Sequence, residues 1–94
     1  MTNLRRLARG RDCQIRLPGV CNGDSSTVVL CHISGGGFGR KQNNLFGAHG
    51  CSACHDEVDG RTMKILDRTK VRLWHLDGVI RTQQLLIDEG VINV

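Results

Sequence analysis

The longest periodic pattern of apolar positions lies at the C-terminal end of the chain. From Asp67 onward, Val71, Trp74, Val79, Leu85 and Leu86 recur at helical spacing, and Asp67 is a suitable N-cap. Gly90 supplies a stop, so a long helix is predicted between them, with Trp74 in the core. Gly78 falls inside this pattern and is expected to interrupt or kink the helix, at about 1 kcal/mol relative to alanine. Upstream the period changes. Residues 27–33 (TVVLCHI) are rich in β-branched side chains and form the best strand candidate. A short second strand is expected over Asn44–His49. Between them, residues 34–39 (SGGGFG) break regular structure. Ser52–Val58 reads as a short helix that begins near Cys51 or Ser52 and is stopped by Gly60. At the other end, Leu4, Leu7 and Ala8 among arginines make a brief amphipathic helix ending at Gly10. Residues 13–24 (CQIRLPGVCNGD) hold the turn signals Pro18-Gly19 and Asn22-Gly23 and read as a knuckle.

Length bounds what these elements can build. Ninety-four residues allow one domain, divided by pattern into a basic arm (1–12), a central core (13–60) and a C-terminal helical part (61–94). Only 3% of residues are aromatic, so the core is modest, and domains of this size commonly recruit a metal, disulfides or a partner. Apolar runs are too short for a membrane span, and no apolar stretch follows the N-terminal charges as in a secretory signal. A cytoplasmic protein without membrane contact is expected; the oligomeric state is not readable.

The net charge of +4 is unevenly placed. Arg5, Arg6, Arg9, Arg11 and Arg16 face a single acid, Asp12, within the first sixteen residues, and the remainder balances. Guanidinium forks match phosphate oxygens, so this arm reads either as a polyanion contact or as a solvated basic tail. Scarce aromatics disfavour single-strand recognition by base stacking.

The chemistry is concentrated between Cys13 and His55. Cys13 and Cys21, then Cys51 and Cys54, form two pairs, the second a C-x-x-C beginning a helix. Four thiolates suit a closed tetrahedral zinc site that contributes folding energy. Disulfides fit less well, because five cysteines leave one over and the expected compartment is reducing. A redox role for Cys51-x-x-Cys54 lacks the βαβ pattern that would support it. The fifth cysteine, Cys31, precedes His32 at the end of the best strand. His49 and Asn44 lie between the strand and His55, which directly follows Cys54. The glycine run lacks a G-K-[S/T] ending, so a phosphate-binding P-loop is excluded.

Taken together, Cys31-His32-Ile33, Gly35-Gly36-Gly37, Asn44-Leu45 and Cys51-Ser52-Ala53-Cys54-His55 resemble the HNH nuclease motif, the ββα-metal fold. The resemblance runs from Cys13 to Asp59. A wider one, over ARGRDCQIRLPGVCNGD, VLCHISGGG and CSACHDEVDGR, is to the YbcO-like family of small proteins from lambdoid prophages, assigned as nucleases largely on that motif. It implies an α+β fold: a small zinc-braced ββα-metal core with a long C-terminal helix. It implies structural Zn²⁺ on Cys13, Cys21, Cys51 and Cys54. His32 would be the general base for an attacking water, and His55 would hold a divalent ion such as Mg²⁺ or Mn²⁺. Asn44 would orient the loop or His32. Arg40 and Lys41 would join Arg5, Arg6, Arg9 and Arg11 on DNA phosphates. The departure is Cys31, where HNH proteins commonly carry an aspartate that helps hold the ion. A thiolate prefers softer ions than Mg²⁺, so either Cys31 is buried and silent or another ligand replaces it: His49, Asp56 or Asp59. A DNA endonuclease, a non-catalytic zinc-knuckle nucleic-acid-binding protein and a structural zinc protein binding another phage protein are the three expectations that follow.

Overall fold

A computed structural model describes residues 3–33, 43–60 and 66–93. The glycine loop, Arg40 and Lys41 lie outside the described residues. In chain order come α1 (Leu4–Leu7), a knuckle with a 3₁₀ turn (Ser25–Thr27), β1 (Val29–His32), a second 3₁₀ turn (Asn44–Phe46), β2 (Gly47–Gly50), α2 (Ser52–Asp59) and α3 (Arg68–Asp88). The architecture is α+β: a two-stranded antiparallel sheet, the short helix α2, and a long C-terminal helix.

Both strands begin later than the sequence predicts, at Val29 and Gly47, and in both cases a polar cap wins. The Asp24 carboxylate accepts from the Ser26 N–H, and the Thr27 hydroxyl donates to the Asp24 carbonyl, so residues 25–27 coil before β1 begins. Asn43 does the same through the Leu45 N–H, converting residues 44–46 into a turn before β2. The strands then pair Val29 with Gly50, Leu30 with His49, Cys31 with Ala48 and His32 with Gly47. Paired residues share a face, so Leu30 and His32 point one way and Cys31 and Ala48 the other.

The helix α3 runs unbroken for 21 residues, and Gly78 does not interrupt it. This glycine sits against the knuckle: a Cβ there would lie 3.1 Å from the Gln14 carbonyl oxygen and Ile15 Cα, and 3.2 Å from Ala48 Cβ. Asp67 caps the helix through the N–H groups of Thr69 and Lys70, and Gly90 follows its end with φ +74°. Trp74 is only half-buried. It packs at the margin of the core, with the Arg81 guanidinium 6.0 Å from its ring centroid. The core itself combines Ile15, Leu17, Val28, Cys31, Ile33, Ala48, Val71 and Val79 with three cysteines of the paired set. Among the described residues no helix is long and apolar enough to cross a membrane.

Two buried polar contacts lie outside the sequence-based picture. His75 is 5% exposed and its Nε2 lies 2.9 Å from the Cys31 carbonyl, tying α3 to β1. Glu57 is buried in the last turn of α2; its carboxylate accepts from Arg68 and from the Leu66 N–H, which ties the start of α3 to α2. Such groups are affordable in an apolar interior only when paired.

Candidate metal centre and nucleic-acid cleft

The knuckle and the start of α2 bring four sulfurs together. Arg16 adopts φ +56°, unusual for a side-chain-bearing residue, and this turn lets its N–H donate to Cys13 Sγ at 3.4 Å. Leu17 then accepts from the Val20 and Cys21 N–H groups, folding the long Cys13–Cys21 gap back on itself. The Ser52 N–H donates to the Thr27 hydroxyl at 3.1 Å, and Asn22 reaches the Ser52 hydroxyl at 3.1 Å, docking the knuckle onto α2. The outcome is a cluster of Cys13, Cys21, Cys51 and Cys54 with all four Sγ atoms within 4.8 Å of one another. The Cys13–Cys54 and Cys21–Cys51 sulfurs are each 3.7 Å apart. Zinc–sulfur bonds of about 2.3 Å in a tetrahedron require sulfurs about 3.8 Å apart. The donor set therefore fits a zinc ion.

Its electrostatics agree. Cys13 is pulled down to about 4 by hydrogen bonding from Cys54, helped by the Arg16 N–H. Cys54 is pushed up by the same contact and by burial, and Cys21 by burial. Neighbouring thiolates oppose one another's ionisation; a divalent cation at their centre removes the conflict.

Cys31 takes no part. It is 1% exposed, its sulfur lies 3.9 Å from the Gly50 carbonyl oxygen, and a Cβ on Gly50 would come within 2.8 Å of it. Burial pushes its thiol up to about 12, so it is a neutral core side chain on the face of β1 opposite His32.

That opposite face opens into a cleft of about 680 Å³. Arg5, Arg6 and Arg9 line it together with His32 and His55, with Val29 and Leu30 between them. The arm is therefore a wall of the cleft, held by α1. Asn3 caps α1 through the Arg5 and Arg6 N–H groups. In the cleft His32 Nε2 lies 2.8 Å from Asn44 Oδ1, and His55 Nε2 lies 3.1 Å from the Asp59 carboxylate one helical turn on. The Asn44 contact fixes the His32 ring through Nε2, so it is Nδ1 that remains for another partner.

Two sequence-based candidates fall elsewhere. Arg11 makes a fork-to-fork pair with Glu89, at 2.5 and 2.6 Å, and joins the knuckle to the end of α3. His49 is 1% exposed; its backbone N–H donates to Thr82 at 3.0 Å, and its ring feels the charges of Arg11 and Glu89. It does not line the cleft with His32 and His55. Among the described residues, the four cysteines are the one group of three or more metal-binding side chains brought together. Asp59 had appeared in the sequence only as an alternative ligand; its i, i+4 spacing from His55 on a helix is the signal that places it.

The fold and site define a small α+β protein with a four-cysteine cluster suited to a metal ion, beside a basic, histidine-bearing cleft. The chain belongs to the YbcO family: the model for "Putative nuclease YbcO" matches residues 2–91. It is 47% identical over 96 residues to "Putative nuclease YbcO" of Escherichia coli (strain K12), with 99% of both chains covered. The same identity and coverage relate it to "Putative nuclease ybcO" of Enterobacteria phage 82. Among solved structures it resembles a putative bacteriophage protein from Escherichia coli K-12 substr. MG1655, with a TM-score of 0.82 and 48% identity, over 94% of this chain and 100% of that one.

Proposed function

We propose that this protein is a phage- or prophage-encoded HNH-type endonuclease that hydrolyses phosphodiester bonds in DNA within the bacterial cytoplasm. The observation that carries the reading is one cleft lined by His32, in contact with Asn44, by His55 and by three arginines. The order β1, β2, α2 and the descriptions of the relatives support it.

Each side chain then has a task. Asn44 holds the His32 ring, and Nδ1 takes the proton from the attacking water. Arg5, Arg6 and Arg9 draw the phosphate backbone in and fix it against the histidines. His55 and Asp59 offer one nitrogen and one carboxylate from one side of α2. Two protein ligands suit Mg²⁺ or Mn²⁺, which keep open positions for water and phosphate oxygens. When bound, such an ion supplies electrostatic stabilisation of the phosphate and of the leaving 3′ oxygen. Cys13, Cys21, Cys51 and Cys54 would hold a zinc ion, which would brace the start of α2 and with it His55.

The test is cleavage of plasmid DNA by zinc-loaded protein with Mg²⁺, Mn²⁺ or Ni²⁺ added. His32→Ala is expected to bind DNA with unchanged salt dependence and to lose cleavage by a factor of about 10² or more. Cleavage surviving in that variant removes His32 as the base. Binding without cleavage by the wild type assigns the cleft to a non-catalytic nucleic-acid-binding protein.

A further inference from the structure

We propose that His75 is a positioning residue for the cleft, setting from α3 where His32 stands relative to His55. The inference rests on the reading of His32 as the base, and it concerns a side chain that does not itself line the cleft. His75 Nε2 lies 2.9 Å from the Cys31 carbonyl oxygen, and a carbonyl only accepts, so the imidazole donates. That oxygen belongs to the peptide unit joining Cys31 to His32. The six atoms of a peptide unit lie close to one plane, and the Cα of His32 is one of them. A hold on the oxygen is therefore a hold on the point from which the His32 side chain springs. Asn44 meets the ring of the same histidine at Nε2, so backbone and ring are held separately.

Two observations set this apart from the mere pairing of a buried group. The Cys31 carbonyl has a partner without His75. The Ile33 N–H donates to the Phe46 carbonyl at 2.9 Å, and hydrogen-bonded pairs alternate along an antiparallel ladder, so Cys31 and Ala48 exchange backbone hydrogen bonds. His75 adds a second donor to an oxygen that the sheet already satisfies. The same helix also holds the element that carries His55. Arg68, the first residue of α3, donates to the Glu57 carbonyl at 2.7 Å and to the buried Glu57 carboxylate, and Glu57 lies two residues beyond His55 on α2. The strand of one cleft histidine and the helix of the other are thus referenced to a single rigid helix, at His75 and at Arg68, about two turns apart. A two-stranded sheet is marginal on its own, so a contact from a third element decides where it sits.

The experiment pairs plasmid cleavage by the zinc-loaded full chain, with Mg²⁺, Mn²⁺ or Ni²⁺ added, with the NMR shift of the His32 ring Cε1–H at fixed pH. His75→Gln brings an amide N–H to the place of Nε2 and should keep both the wild-type kcat and the His32 resonance. His75→Leu has no donor; its kcat should fall about tenfold or more at unchanged KM, and the His32 resonance should move. His75→Met, also without a donor but more adaptable in shape, should behave alike and stands in for the leucine variant if that protein does not fold. All are compared well below their midpoints, where a residue that only stabilises the fold would leave both readouts at wild type. A donor-free variant with wild-type kcat and an unmoved His32 resonance, or a glutamine variant as impaired as the donor-free ones, would overturn the proposal. A wild type that cleaves with none of the ions would instead remove the nuclease reading, and the His32 resonance in the same variants would still decide whether His75 positions it.

Discussion

Replacing Gly78 with alanine sets two known effects against each other, and the structure decides the sign. In the middle of a 21-residue helix, alanine is favoured over glycine by about 1 kcal/mol through backbone entropy alone. Against that, the new methyl would stand 3.1 Å from the Gln14 carbonyl oxygen and Ile15 Cα, and 3.2 Å from Ala48 Cβ. Two of these neighbours are backbone atoms and the third is a Cβ, so none can swing aside by a rotamer change. Relief requires α3 to move off the knuckle by a few tenths of an ångström. Overpacking of this kind costs about 1–3 kcal/mol. Subtracting the entropic gain from a mid-range cost leaves a net destabilisation of about 1 kcal/mol. For a domain of this size that is a fall in midpoint of about 4–8 °C. The assay is thermal and urea unfolding of both proteins in excess zinc, read by far-ultraviolet dichroism. Because Gln14 and Ile15 directly follow Cys13, the variant should also release zinc to a chelator faster. A Gly78→Ala protein more stable than the wild type would refute the close-packing argument, since propensity would then be the whole effect.

Three further outcomes follow from the site. Changing Arg5, Arg6 and Arg9 together to glutamine should lower the slope of log affinity for duplex DNA against log salt by about 2.7 if each neutralises one phosphate; Arg11→Gln, whose guanidinium is committed to Glu89, should leave that slope unchanged in the same titration. Native mass spectrometry should find one zinc per chain, and chelation should unfold the protein, because Cys13, Cys51 and Cys54 are also core side chains; a metal-free protein of equal stability would remove the zinc assignment. Burial lowers the pKa of His75 in the folded state. The unfolded chain thus binds a proton at higher pH, so this histidine's contribution is complete above about pH 6.5 and declines as pH falls from there toward its folded value. His75→Gln should flatten that part of the stability–pH curve measured against the wild type, and an unchanged slope would contradict the burial argument.

Much of the fold was readable because its elements carry local signals. Asp67 and Gly90 bracket α3, Gly60 ends α2 in a left-handed conformation with φ +70°, and the cysteine spacing predicts the four-thiol cluster. What escaped prediction depends on tertiary contact. Thr27 reads as the start of a strand by composition, yet Asp24 draws residues 25–27 into a turn through its side chain and carbonyl. Gly78 looks like a defect in one dimension and is a contact point in three. The arm was legible as charge but not as structure. Nothing in five arginines distinguishes Arg5, Arg6 and Arg9, which face the histidines, from Arg11, which is paired with a residue near the other end of the chain. Likewise His49, Cys31 and His75 are of the residue types that do chemistry, and burial turns all three into parts of the interior.

The positions of these buried groups explain why metal, core and cleft should respond as one unit. Along β1, Cys31 faces the core and His32 faces the cleft; along α2, Cys54 faces the thiol cluster and His55 faces the cleft. Each cleft histidine is thus the immediate neighbour of a residue fixed in the interior. The Cys31 carbonyl is held by His75, and the Cys54 sulfur by the knuckle cysteines, so both histidines inherit their positions from contacts on the far side of their elements. A change in the interior that shifts β1 relative to α2 alters the separation of His32 from His55 without touching either ring. The proposed hydrolysis would tolerate little such movement, since a displacement of about 1 Å can cost an enzyme a factor of about 10² in rate. Gly78→Ala, which displaces α3 and with it His75, should therefore lower cleavage more than its stability loss accounts for, when assayed well below its midpoint. Equal activity per folded molecule in the two proteins would show that the cleft is set by β1 and α2 alone.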